Sequence, residues 1–339
     1  MKDRQLRHEI FGILVYAHYQ TEPNDIHRIL DSPNTAIRAI VDDQTVLAVA
    51  VVAREGGLSE DQRRQMYEGN QVRGNMIPDV LTGQLRDEQA GEPIGARVLR
   101  IATHPVIQSK GFGTRLLSEL EGELETGIRE WPGTIDWLGV AYSATTDLLR
   151  FWQRNGYQTV HFGTKRNEKS GKYSVIMLQP LTAVGRELFN RTSRRLSSRI
   201  RHVIADALSE ADAGIIQAVL SSIEYETLKG PPMTEWEWNV VVSVAYGPGN
   251  MDVAPRPFSI LTLRYFADPS TDTSELTTQQ QQLLVMRALQ YRSWEEAAAK
   301  LEYHSASECR RAIGDACKPL IKQYSQEKID ELVDRFDNN

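Results

Sequence analysis

Between Arg97 and Leu124 the spacing of apolar positions changes period within a few residues. Val98, Leu99, Ile101 and Ala102 make a short apolar run of strand length. Leu116, Leu117, Leu120 and Leu124 then recur at i, i+1, i+4 and i+8, one stripe of a 3.6-residue helix. Gln108-Ser109-Lys110-Gly111-Phe112-Gly113 lies between them, so the pattern predicts strand, glycine turn, helix. Upstream, Ile10, Leu14 and Tyr16–His18, then Asp25–Leu30 after Pro23 with Asn24 as N-cap, predict two short helices. Ala36–Val41 and Thr45–Ala53 around Asp42-Asp43-Gln44 predict an antiparallel hairpin. Downstream, Ile135–Val140 predicts a strand and Thr146–Arg154 a helix stopped by Gly156, with two further strands after it.

Residues of about 56–96 interrupt this alternation with a polar helix (Glu60–Tyr67), the triplet Arg73-Gly74-Asn75 and a further helix up to Leu85. They are expected to be either an insertion beside an acceptor groove or a surface loop. Beyond Pro180, 183–229 and 275–335 are helical in period, with Leu276, Leu283, Leu284, Met286, Leu289, Trp294, Ala297 and Leu301 as expected core. Val240–Phe266, broken by Gly247, Pro248, Gly249, Pro255 and Pro257, predicts two helices or two strands around a loop. EEAAAKL, a polar turn and RRAI have the rhythm of a helix-turn-helix, which two packed helices share.

A length of 339 allows two domains, drawn here at 1–182 and 183–339, the second mainly helical. With 41% hydrophobic and 25% charged residues the composition is that of an ordinary globular chain. No run approaches the ~20 apolar residues of a membrane span, and no signal-peptide pattern opens the chain. The two cysteines, Cys309 and Cys317, fall two turns apart in one helical pattern, too far apart to bridge and without metal-ligand neighbours. A reduced, cytoplasmic protein with no metal site is expected. The formal charge of −6 argues against a chain that binds nucleic acid throughout, and no DNA partner is expected. A basic stretch is nonetheless concentrated in 165–201, where Lys165, Arg166, Lys172, Arg194 and Arg195 stand among few acids. It reads equally as a solvated surface or as a phosphate contact.

Glycines at 111 and 113 remove the Cβ atoms that would keep a ligand from the backbone. The free amides of the following helix start, with the positive end of its dipole, then form an anion site. Neither a G-x-x-x-x-G-K-[ST] loop nor a G-x-G-x-x-G fingerprint occurs. Q-x-x-G-x-G between a strand and a helix resembles the coenzyme A loop of the GNAT acetyltransferases. FGILVYAHYQTEPNDIHRILDSPN, AREGGLS, VRGN, RVLRIATHPVIQSKGFG, LLRFWQRNGY and KRNEKSGKYSVIMLQPL resemble, in that order, the acetyltransferase half of the tRNA(Met) cytidine acetyltransferase family, over about residues 8 to 190.

This resemblance implies an α/β GNAT fold, a mixed central sheet whose strands splay, flanked by helices. It implies acetyl-CoA as cofactor. Ile101, Ala102 and Thr103 would pair with the pantetheine, and Gln108, Ser109, Lys110, Gly111, Phe112, Gly113 and Thr114 would wrap the diphosphate. Asp147 and Arg154 stand where the family has an acid and an arginine that reach the coenzyme. The implied acceptor is cytidine N4 at the wobble position of elongator tRNA-Met, with Arg73, Lys165, Arg166, Lys172, Arg194 and Arg195 as RNA contacts and the tail as a tRNA-binding region. His104, in THP, is the expected base, and it could equally only cap the strand end. The family's thiolate-protonating tyrosine is matched here by Trp152, which leaves either Tyr142 as the nearest acid or, with Tyr142 only a strand-end aromatic, a thiolate that departs unassisted. A helicase-like ATPase module precedes the acetyltransferase in the family. The expectation for this chain is therefore normal acetyl-CoA binding with weak or absent ATP-coupled tRNA acetylation, unless a separate module is a partner. A GNAT enzyme acting on a protein or small-molecule amine, or an acetyl-CoA-binding module without turnover, are the alternatives.

Overall fold

In the computed structural model, residues 2–17, 32–127, 130–325, 329 and 332–333 are described. The expected helix at Asp25–Leu30 lies outside them. The chain divides into two compact units, one made of Met1–Ser143, Phe151–His161 and Val175–Thr192, the other of Ala144–Arg150, Phe162–Ser174 and Ser193–Asn339.

The sheet begins with β1 (Thr35–Asp42) and β2 (Thr45–Glu55), the expected hairpin, paired antiparallel. Asp43 closes it at φ 52, a left-handed conformation that a short polar side chain tolerates. β2 pairs antiparallel with β3 (Gly95–Thr103), and β3 pairs parallel with β4 (Trp137–Ser143). With β5 (Gln158–Arg166) and β6 (Tyr173–Pro180) the order is β1-β2-β3-β4-β6-β5, a mixed six-stranded sheet.

Side-chain alternation along β2 supplies two cores. Val49 and Val51 meet Ile13 and Leu14 of the helix Lys2–Ala17, whose Glu9 Oε2 accepts the Val46 N–H at 2.9 Å. Ala48 and Ala50, small enough to let a helix approach, meet Leu116 of the helix Phe112–Thr126. The leucine stripe read from the sequence is buried at all four positions.

The 56–96 segment is not a surface loop. Its helix Glu60–Tyr67 starts with a Ser59/Gln62 capping box, and the turn Met76–Asp79 runs on into a π-helical turn, Val80–Gln84. Met66, Ile77 and Leu81 are fully buried. Ile77 and Leu81 share a cluster with Trp137, Val160, Ile176, Leu178, Leu188 and Phe189, each burial contributing roughly 1.5–3 kcal/mol. The buried Glu55 carboxylate ties the segment to the sheet, accepting the Ile77 N–H at 2.9 Å and Arg97 Nε at 2.5 Å. Asn75 Oδ1 accepts the Gly56 N–H at 2.8 Å, so the asparagine of the Arg-Gly-Asn triplet is structural.

The second unit is mainly helical beyond Ser193. Val240–Phe266 resolves into two helices, Glu235–Tyr246 and Pro255–Ala267. Pro255 and Pro257 fall in the first turn, where the missing N–H costs no intrahelical bond. Trp294–Lys300 and Ala306–Tyr324 carry the helix-turn-helix rhythm as packed helices. The longer one buries Cys309, Ile313, Ala316 and Cys317. Its Arg310 lies over the Trp294 ring at 5.1 Å, which Arg287 also covers at 4.1 Å. Asp252 accepts from both Arg287 Nη2 (2.9 Å) and Trp294 Nε1 (2.8 Å). Both cysteines are free thiols. Among the described residues no helix is long and apolar enough to cross a membrane, and no cluster of His, Cys, Asp and Glu could hold a metal ion.

Candidate active site

The parallel register of β3 with β4 spans Gly95↔Trp137 to Val98↔Val140 and ends there, although β3 continues to Thr103 and β4 to Ser143. The strands part at a β-bulge. Against β2, Val51 faces Arg100 and Val52 faces Val98, which leaves Leu99 as the extra residue. A bulge bends its strand and increases local twist, so β3 turns away from β4 just past their last shared pair.

The alternation of backbone groups then decides which β3 amides remain on the open edge. His104 N–H donates to Leu47 O of β2 at 2.8 Å. Successive N–H groups in a strand point to opposite sides, so the Ala102 amide also faces β2, opposite Val49. Those of Ile101 and Thr103 face the parted edge. Of the three residues expected to pair with pantetheine, two therefore offer free strand edge, and Ala102 contributes a buried side chain to the core instead.

β3 ends in the turn Pro105–Ile107, then Gln108, Ser109 and Lys110, all exposed, and the helix Phe112–Thr126. Ser109 and Gly111 are left-handed at φ 62 and φ 83. A Cβ on Gly111 would meet nothing within 4 Å, so its dihedral, not crowding, demands glycine there. At Gly113 a Cβ would touch Phe151 Cζ at 3.4 Å and Thr103 Oγ1 at 3.6 Å, ordinary contacts. Neither glycine is imposed by neighbouring protein atoms, and the space over Gly111 is open. No side chain caps the helix. Arg115 N–H reaches Gly111 O at 2.9 Å, so Phe112, Gly113 and Thr114 carry the first unshared amides of a 15-residue helix. Open backbone, three donors and the positive dipole end fit a diphosphate.

His104 is half-buried at the mouth of this turn and is its N-cap, Nδ1 accepting the Val106 N–H at 3.4 Å. In the neutral ring that bond puts the proton on Nε2. Tyr142 lies on β4 beyond the last pair shared with β3, and its hydroxyl donates to Met177 Sδ at 3.1 Å. Burial raises its pKa well above that of an ordinary phenol. Trp152 is buried, 6.3 Å from the Tyr142 ring and 4.8 Å from that of Tyr157, and is a packing residue. Sequence reasoning missed Phe151, which lies edge-on to Trp152 and against Gly113. The adjacent aromatics in RFWQRNGY were its only signal.

Asp147 and Arg154 occupy the first and last turns of the helix Thr146–Arg154, both exposed, and each also complements the helix dipole. Arg73 is exposed in the first unit. In the second, Lys165, Arg166 and Lys172 lie on the β5–β6 hairpin, all exposed. Arg166 is held in place, donating to Tyr173 Oη at 3.2 Å and Glu210 O at 3.0 Å. Arg194 is exposed and Arg195 half-buried on the helix Ala183–Ala205.

The family model described as GNAT acetyltransferase 2 matches residues 9–130 and 123–182. The chain is similar to the tRNA(Met) cytidine acetyltransferase TmcA of Haloferax volcanii, 44% identical over 99% of this chain and 43% of that protein. The TmcA of Haloarcula marismortui is 43% identical over 99% and 42%. That of Nitrosococcus halophilus is 33% identical over 99% and 44%. The chain thus spans less than half the length of these relatives. Given the bulged strand, the parted sheet and the glycine turn, with the match spread from residue 9 to residue 182, the chain belongs to the GNAT acetyltransferase 2 family.

Proposed function

We propose that this chain is the catalytic part of an acetyl-CoA-dependent tRNA cytidine N4-acetyltransferase, acting in the cytoplasm on the wobble cytidine of elongator tRNA-Met. The open β3 edge at Ile101 and Thr103, leading into an uncapped helix start at Phe112, carries the transferase reading. Similarity to relatives named tRNA(Met) cytidine acetyltransferase supports a tRNA cytidine as acceptor, and the resemblance noted in the sequence supplies the N4 atom, the wobble position and the elongator species.

Acetyl-CoA, when bound, supplies the acetyl group as a thioester. The Phe112, Gly113 and Thr114 amides hold its diphosphate, Gln108, Ser109 and Lys110 border it, and the Ile101–Thr103 edge holds the pantetheine amides. Asp147 and Arg154 are further contacts, Arg154 suiting phosphate through its guanidinium. Such positioning can supply up to ~7–11 kcal/mol of the barrier. The Thr103 N–H, aimed at the parted edge, is available to the charge that develops on the carbonyl oxygen.

Cytidine N4 is neutral at pH 7, and its lone pair is delocalised into the ring. The enzyme therefore needs alignment first and a base only as the bond forms. His104 serves as that base by yielding its 3.4 Å bond to Val106, near the limit of hydrogen bonding, and accepting the proton directly or through water. Tyr142 keeps its own proton and, by turning its hydroxyl away from Met177 Sδ, donates a hydrogen bond to the departing sulfur. A thiol with a pKa of ~8.5 leaves without a full proton transfer. Arg73, Lys165, Arg166, Lys172, Arg194 and Arg195 are the proposed RNA contacts, and a separate helicase-like ATPase module is a further partner.

Incubation with labelled acetyl-CoA and total RNA, followed by nucleoside analysis, tests this. N4-acetylcytidine in elongator tRNA-Met is expected. Label on protein or small amines instead, or no transfer with or without the ATPase module and ATP, would overturn it.

A further inference from the structure

We infer that Arg100 is a positioning residue for the coenzyme, its guanidinium latching the bulge that opens the sheet; this rests on the reading above, in which the Ile101–Thr103 edge holds the pantetheine. At the bulge two consecutive residues, Leu99 and Arg100, stand against the one residue Val51. Such a bulge leaves its extra residue outside the ladder. Here Arg100 Nη1 donates to the Leu99 carbonyl at 2.8 Å, so the extra residue is held by the side chain that follows it. In the sequence Arg100 only interrupts an apolar run.

The direction of that carbonyl follows from the strand's own alternation. His104 N–H faces β2, and at intervals of two the Ala102 and Arg100 amides do as well. Across a planar trans peptide the Leu99 C=O points opposite to the Arg100 N–H, towards the side where β3 and β4 part. The shared pairs end at Val98↔Val140, so β4 has no register partner for Leu99. The half-buried guanidinium brings the donor that a closed sheet would have drawn from β4. Arg100 also lies opposite Val51, on the face of an apolar cluster, where a charged side chain is costly unless its donors are used.

The latch sets the facing of every residue beyond it. In an unbroken strand, residues three apart lie on opposite faces. Leu99 and Ala102 nevertheless share one cluster with Ile13, Leu14, Val49 and Val51, because the bulge adds a residue between them and β2. Counted on from Val52↔Val98 without that addition, Ile101 would fall opposite Val49 and Thr103 opposite Leu47. Those are the two β2 positions whose partners turn their amides to β2. Ile101 and Thr103 would then be spent on the ladder, and Ala102 would leave the core with its amide in the gap. One slipped residue thus removes both amides proposed for the pantetheine.

The test is amide hydrogen exchange of the full chain, with isotope-labelled isoleucine, alanine and threonine, beside calorimetric titration. In the parent the Ile101 and Thr103 amides should exchange fast and Ala102 slowly, and coenzyme A should slow the first two. Arg100→Met keeps the stem and lacks the donors. In it the order should invert, Ile101 and Thr103 becoming slow and Ala102 fast. Its coenzyme A affinity should fall about 10- to 100-fold, the loss that goes with a hydrogen bond to a charged group. Adenosine diphosphate, which has the diphosphate but no pantetheine arm, should bind as it does to the parent. Arg100→Lys retains a charged donor and should restore the parent's exchange order. An unchanged order in a folded Arg100→Met chain, or equal losses for coenzyme A and adenosine diphosphate, would overturn the latch. So would faster exchange at all three amides, the mark of an arginine that only stabilises the fold. If the order inverts and the affinities part as expected while the parent makes no N4-acetylcytidine, the latch stands and the acceptor assignment falls.

Discussion

Substituting Gly111 separates two reasons a phosphate turn can need glycine: backbone conformation and bulk. The residue sits at φ 83, and a Cβ there would meet no protein atom within 4 Å. The whole cost of Gly111→Ala within the protein is therefore conformational, roughly 1–2 kcal/mol for a non-glycine residue in the left-handed region. If the fold holds the turn, that cost appears in stability. Spread over a domain of this size it lowers the melting temperature by about 2–8 °C. If the turn relaxes, the Phe112–Thr114 amides lose their common aim, and the cost appears as a coenzyme A affinity reduced about 5- to 30-fold. Calorimetric titration with coenzyme A and thermal unfolding, run together, capture both routes. Asparagine tolerates the left-handed region, so Gly111→Asn should recover most of whichever loss alanine shows. An alanine variant that binds and melts like the parent would refute the conformational account. An asparagine variant as impaired in binding as alanine would place the requirement in the ligand's bulk instead.

Three further outcomes follow from buried groups. Tyr142, with its pKa raised by burial, stays protonated through the working range, so Tyr142→Phe should lower turnover without moving the alkaline limb of the pH–rate profile; a shifted limb would make it the titrating acid. Glu55→Gln removes the charge that faces Arg97 and should destabilise the first unit by about 3 kcal/mol, read by denaturant unfolding. A loss below the scatter of the measurement would show that the Ile77 amide bond alone anchors 56–96. Cys317, pushed up to about 12 by burial, should resist alkylation in the native state and react on unfolding. Its folded pKa exceeds the unfolded one, so the unfolded state releases the thiol proton first. This contribution to stability is fully present below pH 9 and declines as pH rises towards 12.

Local periodicity carried the elements whose partners are close in sequence. The β1–β2 hairpin and the leucine stripe of Phe112–Thr126 each declare their buried face over one window, and both formed where that window placed them. β4 begins at Trp137, where the sequence pattern put its start at Ile135, because pairing with Gly95 sets its first residue. A side chain on Gly95 would run into the Trp137 ring, which explains a glycine that no turn requires. The 56–96 segment was unreadable for the opposite reason. Met66 is one apolar residue on a polar helix, and Ile77 and Leu81 are buried by Val160, Ile176 and Phe189 from far along the chain.

The same division runs through the site. Which β3 amides face the parted edge depends on the His104–Leu47 bond and on the Leu99 bulge, neither of which leaves a mark in residue type. Ile101, Ala102 and Thr103 look equivalent as a tripeptide, yet the middle amide is turned towards β2. At His104 the difficulty is of another kind, since Thr-His-Pro suits both a capping imidazole and a basic one. The structure gives the imidazole a cap bond so long that both roles are open to it in turn. A His104→Asn variant divides them. Asparagine is a favoured capping residue and can accept the Val106 N–H, but it cannot take up a proton at neutral pH. It should keep the melting temperature and the coenzyme A affinity while losing about 10²–10⁴-fold in turnover, the usual contribution of a general base. Equal turnover in this variant would leave His104 as a cap alone and move the proton acceptor to solvent.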